Sequence, residues 1–405
     1  MAGASRSLVI VIFVSFLAFT ILHFNHNESF SRLPQLVSDN FDTLTIQSNQ
    51  SLSPNATSMV FVYLLNSIQS LNNSLSEIQT HLVSQRRFFN INVTENEKNG
   101  CPSHKFIMTT GDAGGLGNRM SEYATLLALS AITGFTPVIG KGHRKTLTDV
   151  FPLIPFEGTN ISRSCMNAAK SLNPRLLTET NAFIATKPVD HVHNIRLHQY
   201  SNGVFYYNKI RGLLKEHFRF KPEVDTVAEG FLVNASLLLK PDMMDPVWVG
   251  IHVRRTNYKH HLNVTQNGTL VTFEYFERAI KRLEESLSDS YRNFEPTNMV
   301  FVVASDDNEW CKTQFGTIAN KTVIFTKQAF THNLGFDRKY LDMAIMSKCN
   351  HSIFDYGTFG FWGAYLAGGH TILAHNIGTG MNPEVENVRQ AELPNWHFIE
   401  AHGKS

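Results

Sequence analysis

Residues 247–258, VWVGIHVRRTNY, set the tightest limit on how this chain can fold. Val247, Trp248, Val249 and Ile251 form an apolar run of the kind found in strands buried on both faces, and such strands belong to parallel sheets covered by helices. The run then gives way to His252, Arg254 and Arg255, followed by Thr256 and Asn257. Ligands of open α/β sheets bind beyond the carboxyl ends of the strands. Two adjacent guanidiniums there suit a bidentate anion, above all phosphate. A surface cluster that merely closes the strand would read the same way.

The rest of the region from Lys105 repeats the alternation. KFIMTTGDAGGLGNRMSEYATLLALSAITGFTPVIG reads as a strand (106–110), a glycine-rich turn, a helix from Met120 to Ile132 and a strand from Pro137 to Ile139. Gly115 and Gly117 allow close backbone approach at a helix amino terminus, or serve only to make the turn tight. No Lys-Ser/Thr follows, so this is not an ATP-type P-loop, and Met120 occupies the third glycine position of the dinucleotide pattern. Further on, the expected elements are a helix over 272–287, a strand in NMVFVVASDD, a strand TVIF (322–325) and a helix over 340–348. HSIF (351–354) follows as a strand, then a turn into an aromatic helix, and TILA (371–374) closes the sheet. Alternating strands and helices imply α/β with parallel strands, in two Rossmann-like halves facing a cleft: 101–245 and 246–405.

Several side chains sit at strand-to-helix junctions. Thr358 can hold a phosphate with its hydroxyl and the amides that follow. Asp342 either caps a helix or accepts two N–H bonds from a purine edge. Asp307 either caps the helix containing Trp310 or belongs, with Asn308 and Glu309, to a loose approximation of an Asp-X-Asp metal motif. His191, His193 and His198 cluster without a cysteine or carboxylate at ligand spacing, and so read as ordinary histidines.

The first hundred residues have a different character. Residues 8–24, LVIVIFVSFLAFTILHF, carry no charge, follow Arg6 and end in bulky apolar groups rather than a small-residue cleavage site. They read as an uncleaved signal anchor with 1–7 cytoplasmic and everything beyond lumenal. Residues 25–57 are a polar tether. Over 58–90, Phe61, Leu64, Ile68, Leu71, Leu75, Ile78 and Leu82 step by three and four, which suits a coiled coil that pairs two copies or an amphipathic helix packed on its own domain. Asn55, Asn72, Asn92, Asn160, Asn234, Asn263, Asn267 and Asn320 are among the Asn-X-Ser/Thr acceptors expected in a lumenal chain. In an oxidising compartment the four cysteines are expected to pair within each half, Cys101–Cys165 and Cys311–Cys349. A net charge of +2 gives no global field for nucleic acid.

Taken jointly, GGLGNRMSEYATLLAL, VGIHVRRTNY, FVVASDDNEWCKTQF and DMAIMSKCNHSIFDYGTFGFWGAYLAGG resemble the galactoside α-1,2-fucosyltransferases over roughly residues 105–375. The resemblance implies a GT-B-like, single-pass type II Golgi membrane enzyme. Such an enzyme would move fucose from GDP-β-L-fucose to the 2-hydroxyl of a galactose-terminated glycan, with inversion and without a metal or other cofactor. It casts Arg254 and Arg255 as the diphosphate clamp oriented by His252. Asp342 becomes a guanine reader, Thr358 a phosphate ligand, and Gly115, Gly117 and Asn118 the loop beside donor and acceptor. Two departures stand out. The family pattern HxRRxD has Asn257 at its last position, and Gly-Asn-Gln becomes Gly117-Asn118-Arg119, which adds a charge near the cleft. The base is then open, with Glu122 the first candidate, facing the cleft or solvent. A different acceptor sugar, or a sugar-nucleotide or glycan-binding protein without activity, are the other readings of the same residues.

Overall fold

Apolar runs bounded by helical segments can bury both faces only by pairing in parallel with helices on either side. The computed structural model has two such sheets. It describes residues 105–109, 114–155, 162–185, 193–237, 239, 243, 245–292, 294–316, 318, 321–328, 334–379 and 383–403. All of these fall in one compact unit, Leu75–Ser405. The expected anchor, tether and stem lie outside the described residues, as do Asn55, Asn72, Asn92, Asn160 and Asn320. Among the described residues no helix is long and apolar enough to cross a membrane.

The first sheet contains β1 (Phe106–Met108), β2 (Thr136–Val138), β3 (Lys170–Leu172) and β4 (Ile195–Leu197) in the order β2-β1-β4-β3, all parallel. The second contains β5 (Val247–Val253), β6 (Met299–Ser305), β7 (Thr322–Phe325), β8 (His351–Phe354), β9 (Thr371–His375) and β10 (Trp396–Glu400). Its order is β10-β9-β8-β5-β6-β7, again all parallel. The chain winds outward from β5 through β6 to β7, then returns to β8 and winds the other way. This is the doubly wound order, and the reversal leaves a crevice outside the carboxyl ends of β5 and β8. TILA does not close the sheet as expected, because WHFIE adds β10 beyond it.

The helix Leu116–Thr133 starts at Leu116, not Met120, and ends where Gly134 adopts φ 75° and returns its N–H to Ser130 O. Fifteen of its 18 residues are buried, because it is clasped between its own sheet and the helix Thr358–Ala367. Trp362 Nε1 donates to Ser121 Oγ at 2.9 Å, and the Trp362 ring stacks on Tyr207 at 5.5 Å. One apolar core therefore runs from Ile107 and Leu127 in the first half to Phe354 and Trp362 in the second. The opposite face of the second sheet has its own core, built from Ile251, Phe301, Val303 and the helix Phe273–Ser290.

That division corrects the expected cysteine pairing. Cys311 packs in the second core and Cys349 in the first, on opposite faces of the sheet, so both are free and buried. Burial pushes each thiol up to about 12. Cys165 is disulfide-bonded, while Cys101 lies outside the described residues.

Candidate active site

The registers of β5 decide what meets at the crevice. Val253 pairs with Ser305 of β6, and His252 with Phe354 of β8. The residues that follow, Arg254, Asp306 and Asp355, are thus brought side by side although they are distant in sequence. The Arg254 main-chain N–H donates to Asp355 Oδ2 at 2.9 Å, while its guanidinium donates from Nη1 to Asp306 Oδ2 at 2.7 Å and from Nη2 to Asn257 Oδ1 at 2.6 Å. Asp306 also accepts from the Arg255 N–H at 2.8 Å and from the Thr256 hydroxyl. A carboxylate with three donors is a hub, and it locks the turn after β5. Asn257, the departure from the family pattern, still orients the arginine through its carbonyl oxygen; only the charge is lost.

The two arginines do not form a fork. Their side chains continue the alternation of the strand. Arg254 stays on the crevice side with its side chain 34 % exposed. Arg255 turns to the other face, its guanidinium 3.8 Å over the Trp310 ring, with Nε 3.4 Å from Asp307 Oδ2 and Nη1 3.4 Å from Val271 O. It braces the turn between β6 and its helix. Asp307 caps that helix, accepting from Trp310 N–H at 3.2 Å.

His252 does not orient the arginines either. Its ring lies 5.1 Å from Phe359, and a Cβ on Gly360 would come within 2.9 Å of its Nδ1, so the first turn of the helix Thr358–Ala367 rests on it. Burial, with Arg254 adding to it, lowers His252 to about 4. It is a neutral imidazole 3.9 Å from Asp355 Oδ1. Burial pushes the Asp355 carboxyl well up, against the main-chain N–H bonds from Arg254 and Tyr356.

The other wall is the glycine turn. Gly357, at φ 88°, caps the helix Thr358–Ala367, so the orphan N–H groups of its first turn face the crevice side of β8. Thr358 Oγ1 donates to Asn118 Oδ1 at 2.7 Å, which ties the two halves together at this point. Gly117 touches the Thr358 main chain, whereas nothing lies within 4 Å of a Cβ at Gly115. A narrow cavity there is lined by Asn202, Asp355, Gly357, Thr358 and Phe361. Arg119 is buried, so it adds no charge to the cleft surface.

Two candidates fall elsewhere. Asp342 is not a cap, because Asp337 caps that helix, accepting from Lys339 N–H at 3.1 Å. Asp342 is one turn in and receives Arg338 Nε at 3.2 Å; burial raises its pKa against the pull of Arg338. Glu122 faces neither cleft nor solvent. At 1 % exposure it accepts the Tyr200 main-chain N–H at 2.8 Å through Oε1, and its Oε2 lies 3.6 Å from His143 Nδ1. A carboxylate so enclosed cannot reach an acceptor hydroxyl, which removes it as the base. Sequence reasoning missed Asp306 and Asp355 as site residues. Their signal was their position, each directly after an apolar run that parallels β5. Among the described residues no cluster of ligating side chains could hold a metal ion. Of the glycosylation candidates, Asn234, Asn263 and Asn267 are exposed.

The profile of glycosyl transferase family 11 matches residues 65–400. Galactoside 2-alpha-L-fucosyltransferase Sec1 of Mus musculus is 30% identical over 295 residues, 71% of this chain and 72% of that one. Galactoside alpha-(1,2)-fucosyltransferase 2 of Mus musculus is 28% identical over 358 residues, 86% of this chain and 95% of that one. Among solved structures, a variant of Arabidopsis thaliana FUT1 in complex with GDP is 13% identical with a TM-score of 0.42, covering 77% of this chain and 80% of that one.

Proposed function

The chain belongs to glycosyl transferase family 11, and from that premise we propose that it transfers L-fucose from GDP-β-L-fucose to the 2-hydroxyl of a terminal β-galactoside. The names of its relatives support the donor sugar, the acceptor sugar and the α-1,2 linkage. The observation that carries the reading is Arg254, a fixed and partly exposed cation at the switch point, beside β8, which only three residues (Asp355, Tyr356 and Gly357) separate from a helix amino terminus.

The leaving group is a nucleoside diphosphate, which gains negative charge as the bond from its oxygen to the anomeric carbon breaks. Arg254 and the orphan N–H groups at Thr358 and Phe359 hold that charge without having to reorganise, because Asp306, Asn257 and Asp355 have already fixed the arginine and the helix has already fixed the amides. The acceptor oxygen attacks the anomeric carbon from the opposite face as the bond to the diphosphate oxygen breaks, so a β-linked donor gives an α-linked product, and the hydroxyl proton passes to solvent water as the new bond forms. With Glu122 enclosed, this reading takes a loose, oxocarbenium-like path that asks little of a base. It needs no metal, since Arg254 supplies the positive charge, and GDP-fucose is a co-substrate rather than a cofactor.

The setting is the Golgi membrane: residues 8–24 anchor the chain once, the catalytic region is lumenal, and residues 58–90 pair two copies. Exposed Asn234, Asn263 and Asn267 suit glycans in that compartment. The test is incubation of the purified chain with GDP-fucose and a β-galactoside in EDTA, followed by linkage analysis. An α-1,2 product, lost in Arg254→Ala, is expected. Transfer that needs a divalent cation would overturn the metal-free mechanism. GDP binding without transfer to any galactoside would favour another acceptor or a binding protein.

A further inference from the structure

Tyr200 lies near the inter-half seam, yet the fold holds it out rather than in. Its neighbours Ser201 and Asn202 are buried, yet Tyr200 is 39 % exposed. Its backbone is left-handed, with φ 60°, a conformation that a bulky L-residue avoids. Such outliers persist only where the surroundings over-determine them, and they cluster at functional sites.

The surroundings here are unusually committed. The main-chain N–H of Tyr200 is held by Glu122 Oε1, and its carbonyl accepts from Arg175 Nη2. Enclosing a carboxylate is costly unless it is hydrogen-bonded, and one of the bonds that this buried glutamate on the glycine-turn helix makes is to the backbone of an exposed residue. Behind Glu122, His143 is itself fixed, its Nε2 2.9 Å from Arg119 O. The side chain that results lies against the glycine turn: a Cβ on Gly114 would come within 2.8 Å of Tyr200 Cε1 and 2.6 Å of Asn118 Nδ2. Asn118 in turn receives the Thr358 hydroxyl. The ring is therefore one residue removed from the turn that faces the donor, on the amino-terminal half.

We propose that Tyr200 is the platform on which the hexose ring of the acceptor stacks, and that Glu122 is a positioning residue that aims it. The proposal rests on the transferase reading above. Galactose carries an axial 4-hydroxyl, which leaves C3–H, C4–H and C5–H together on one apolar face. An aromatic ring with a wet edge fits such a face while leaving the sugar's hydroxyls free, the 2-hydroxyl included. Stacking selects the ring face rather than a pattern of hydroxyls, so recognition of the sugar beyond galactose falls to other residues.

Tyr200→Gly is the informative variant, because glycine adopts the left-handed conformation without strain and the loop should keep its path. The full-length protein carrying it is expected to melt no lower than wild type. Its KM for a methyl β-galactoside should rise about tenfold or more with its KM for GDP-fucose held. Tyr200→Phe keeps the ring and should keep the acceptor KM. Glu122→Leu, which removes the acceptor of the Tyr200 N–H, should raise the acceptor KM with little change in kcat, and Glu122→Gln, whose amide oxygen still accepts that N–H, should restore it, a pattern that a purely structural role would not produce. Saturation-transfer NMR on wild type with methyl β-galactoside should show the strongest signals at H3, H4 and H5, and these should vanish in Tyr200→Gly. Uniform saturation, or an unchanged acceptor KM in a folded Tyr200→Gly protein that still transfers fucose, would overturn the platform and leave the transferase reading standing. Ring-dependent galactoside binding in a wild-type protein that makes no product would keep the platform and remove the transferase reading.

Discussion

Two glycines in one turn should respond very differently to the same substitution. Gly117 is the second residue of the helix Leu116–Thr133, and a Cβ there would stand 2.7 Å from Thr358 C, 2.8 Å from Phe359 N and 2.8 Å from Thr358 O. All three are main-chain atoms at the start of another helix, so no rotamer change can move them away. Carbon contacts want about 3.5–4.0 Å, and the two helices must therefore part by about 1 Å. Overpacking of this kind costs about 1–3 kcal/mol, whereas alanine gains at most about 1 kcal/mol of helix propensity over glycine. The clash wins. Parting the helices also stretches the Thr358–Asn118 and Ser121–Trp362 hydrogen bonds, now 2.7 and 2.9 Å, each worth about 1 kcal/mol. Gly117→Ala should lose about 2–4 kcal/mol, a fall of roughly 4–8 °C in Tm at about 2 °C per kcal/mol.

Gly115 is the control. It sits at φ −80°, ψ −176°, with nothing within 4 Å of a Cβ. The entropy that alanine removes from the unfolded chain, roughly 0.4–1 kcal/mol, is offset by its being a poorer cap than glycine. Gly115→Ala should leave Tm within about 1 °C. Thermal unfolding of the two variants, followed by transfer kinetics, makes the comparison. Gly117→Ala should also lose kcat/KM, because the retreat moves Thr358 and its helix end away from Arg254. Equal melting temperatures would refute the reasoning, since the capping and propensity terms are each about 1 kcal/mol or less and only the clash at Gly117 separates the two sites by more.

Three further outcomes follow from the geometry. Asn257→Asp should keep transfer within a few-fold of wild type, since Arg254 Nη2 is already held by the amide oxygen at 2.6 Å. It should raise the KM for GDP-fucose, because the new charge offsets the arginine's; a large gain in kcat would show that the carboxylate is a missing base. Stability should fall with acid. His351, His370 and His397 cluster at the amino edge of β8, β9 and β10, with His370 stacked on His397 and edge-on to His351, the His370 main-chain N–H donating to His351 Nδ1 at 3.0 Å, and burial lowers all three, His351 to about 4. Histidines with folded values below their unfolded ones stabilise the fold above about pH 6.5 and lose that contribution as pH falls towards 4, on the order of 3 kcal/mol for His351 alone. Tm should drop between pH 7 and 5, and less so in His351→Gln; a flat profile would contradict this. Finally, Cys311 and Cys349 should resist thiol reagents in the native protein and react on unfolding, because burial holds both thiols neutral.

The sequence revealed the parts of the site that follow from local pattern and hid those that depend on register. Arg254 follows an apolar run and Thr358 opens the helix after another, so their place at the carboxyl edge could be read from one segment at a time. Asp306 and Asp355 matter only because Val253 lies opposite Ser305 and His252 opposite Phe354. Neither pairing is visible until two runs are laid side by side, and the same registers set the partners of Arg254. The split of the arginines was hidden for a related reason. Adjacent residues look like a clamp in a linear chain, yet a strand points them to opposite faces. Glu122 failed differently. A helix buried around nearly its whole circumference gives its period no solvent side to mark, so a carboxylate on it reads as exposed by default. Once enclosed, that carboxylate had to be satisfied, and one donor the fold supplied was the main chain of Tyr200. A polar group found where pattern reasoning forbids it therefore identifies its partner as the residue whose position the fold is constrained to keep.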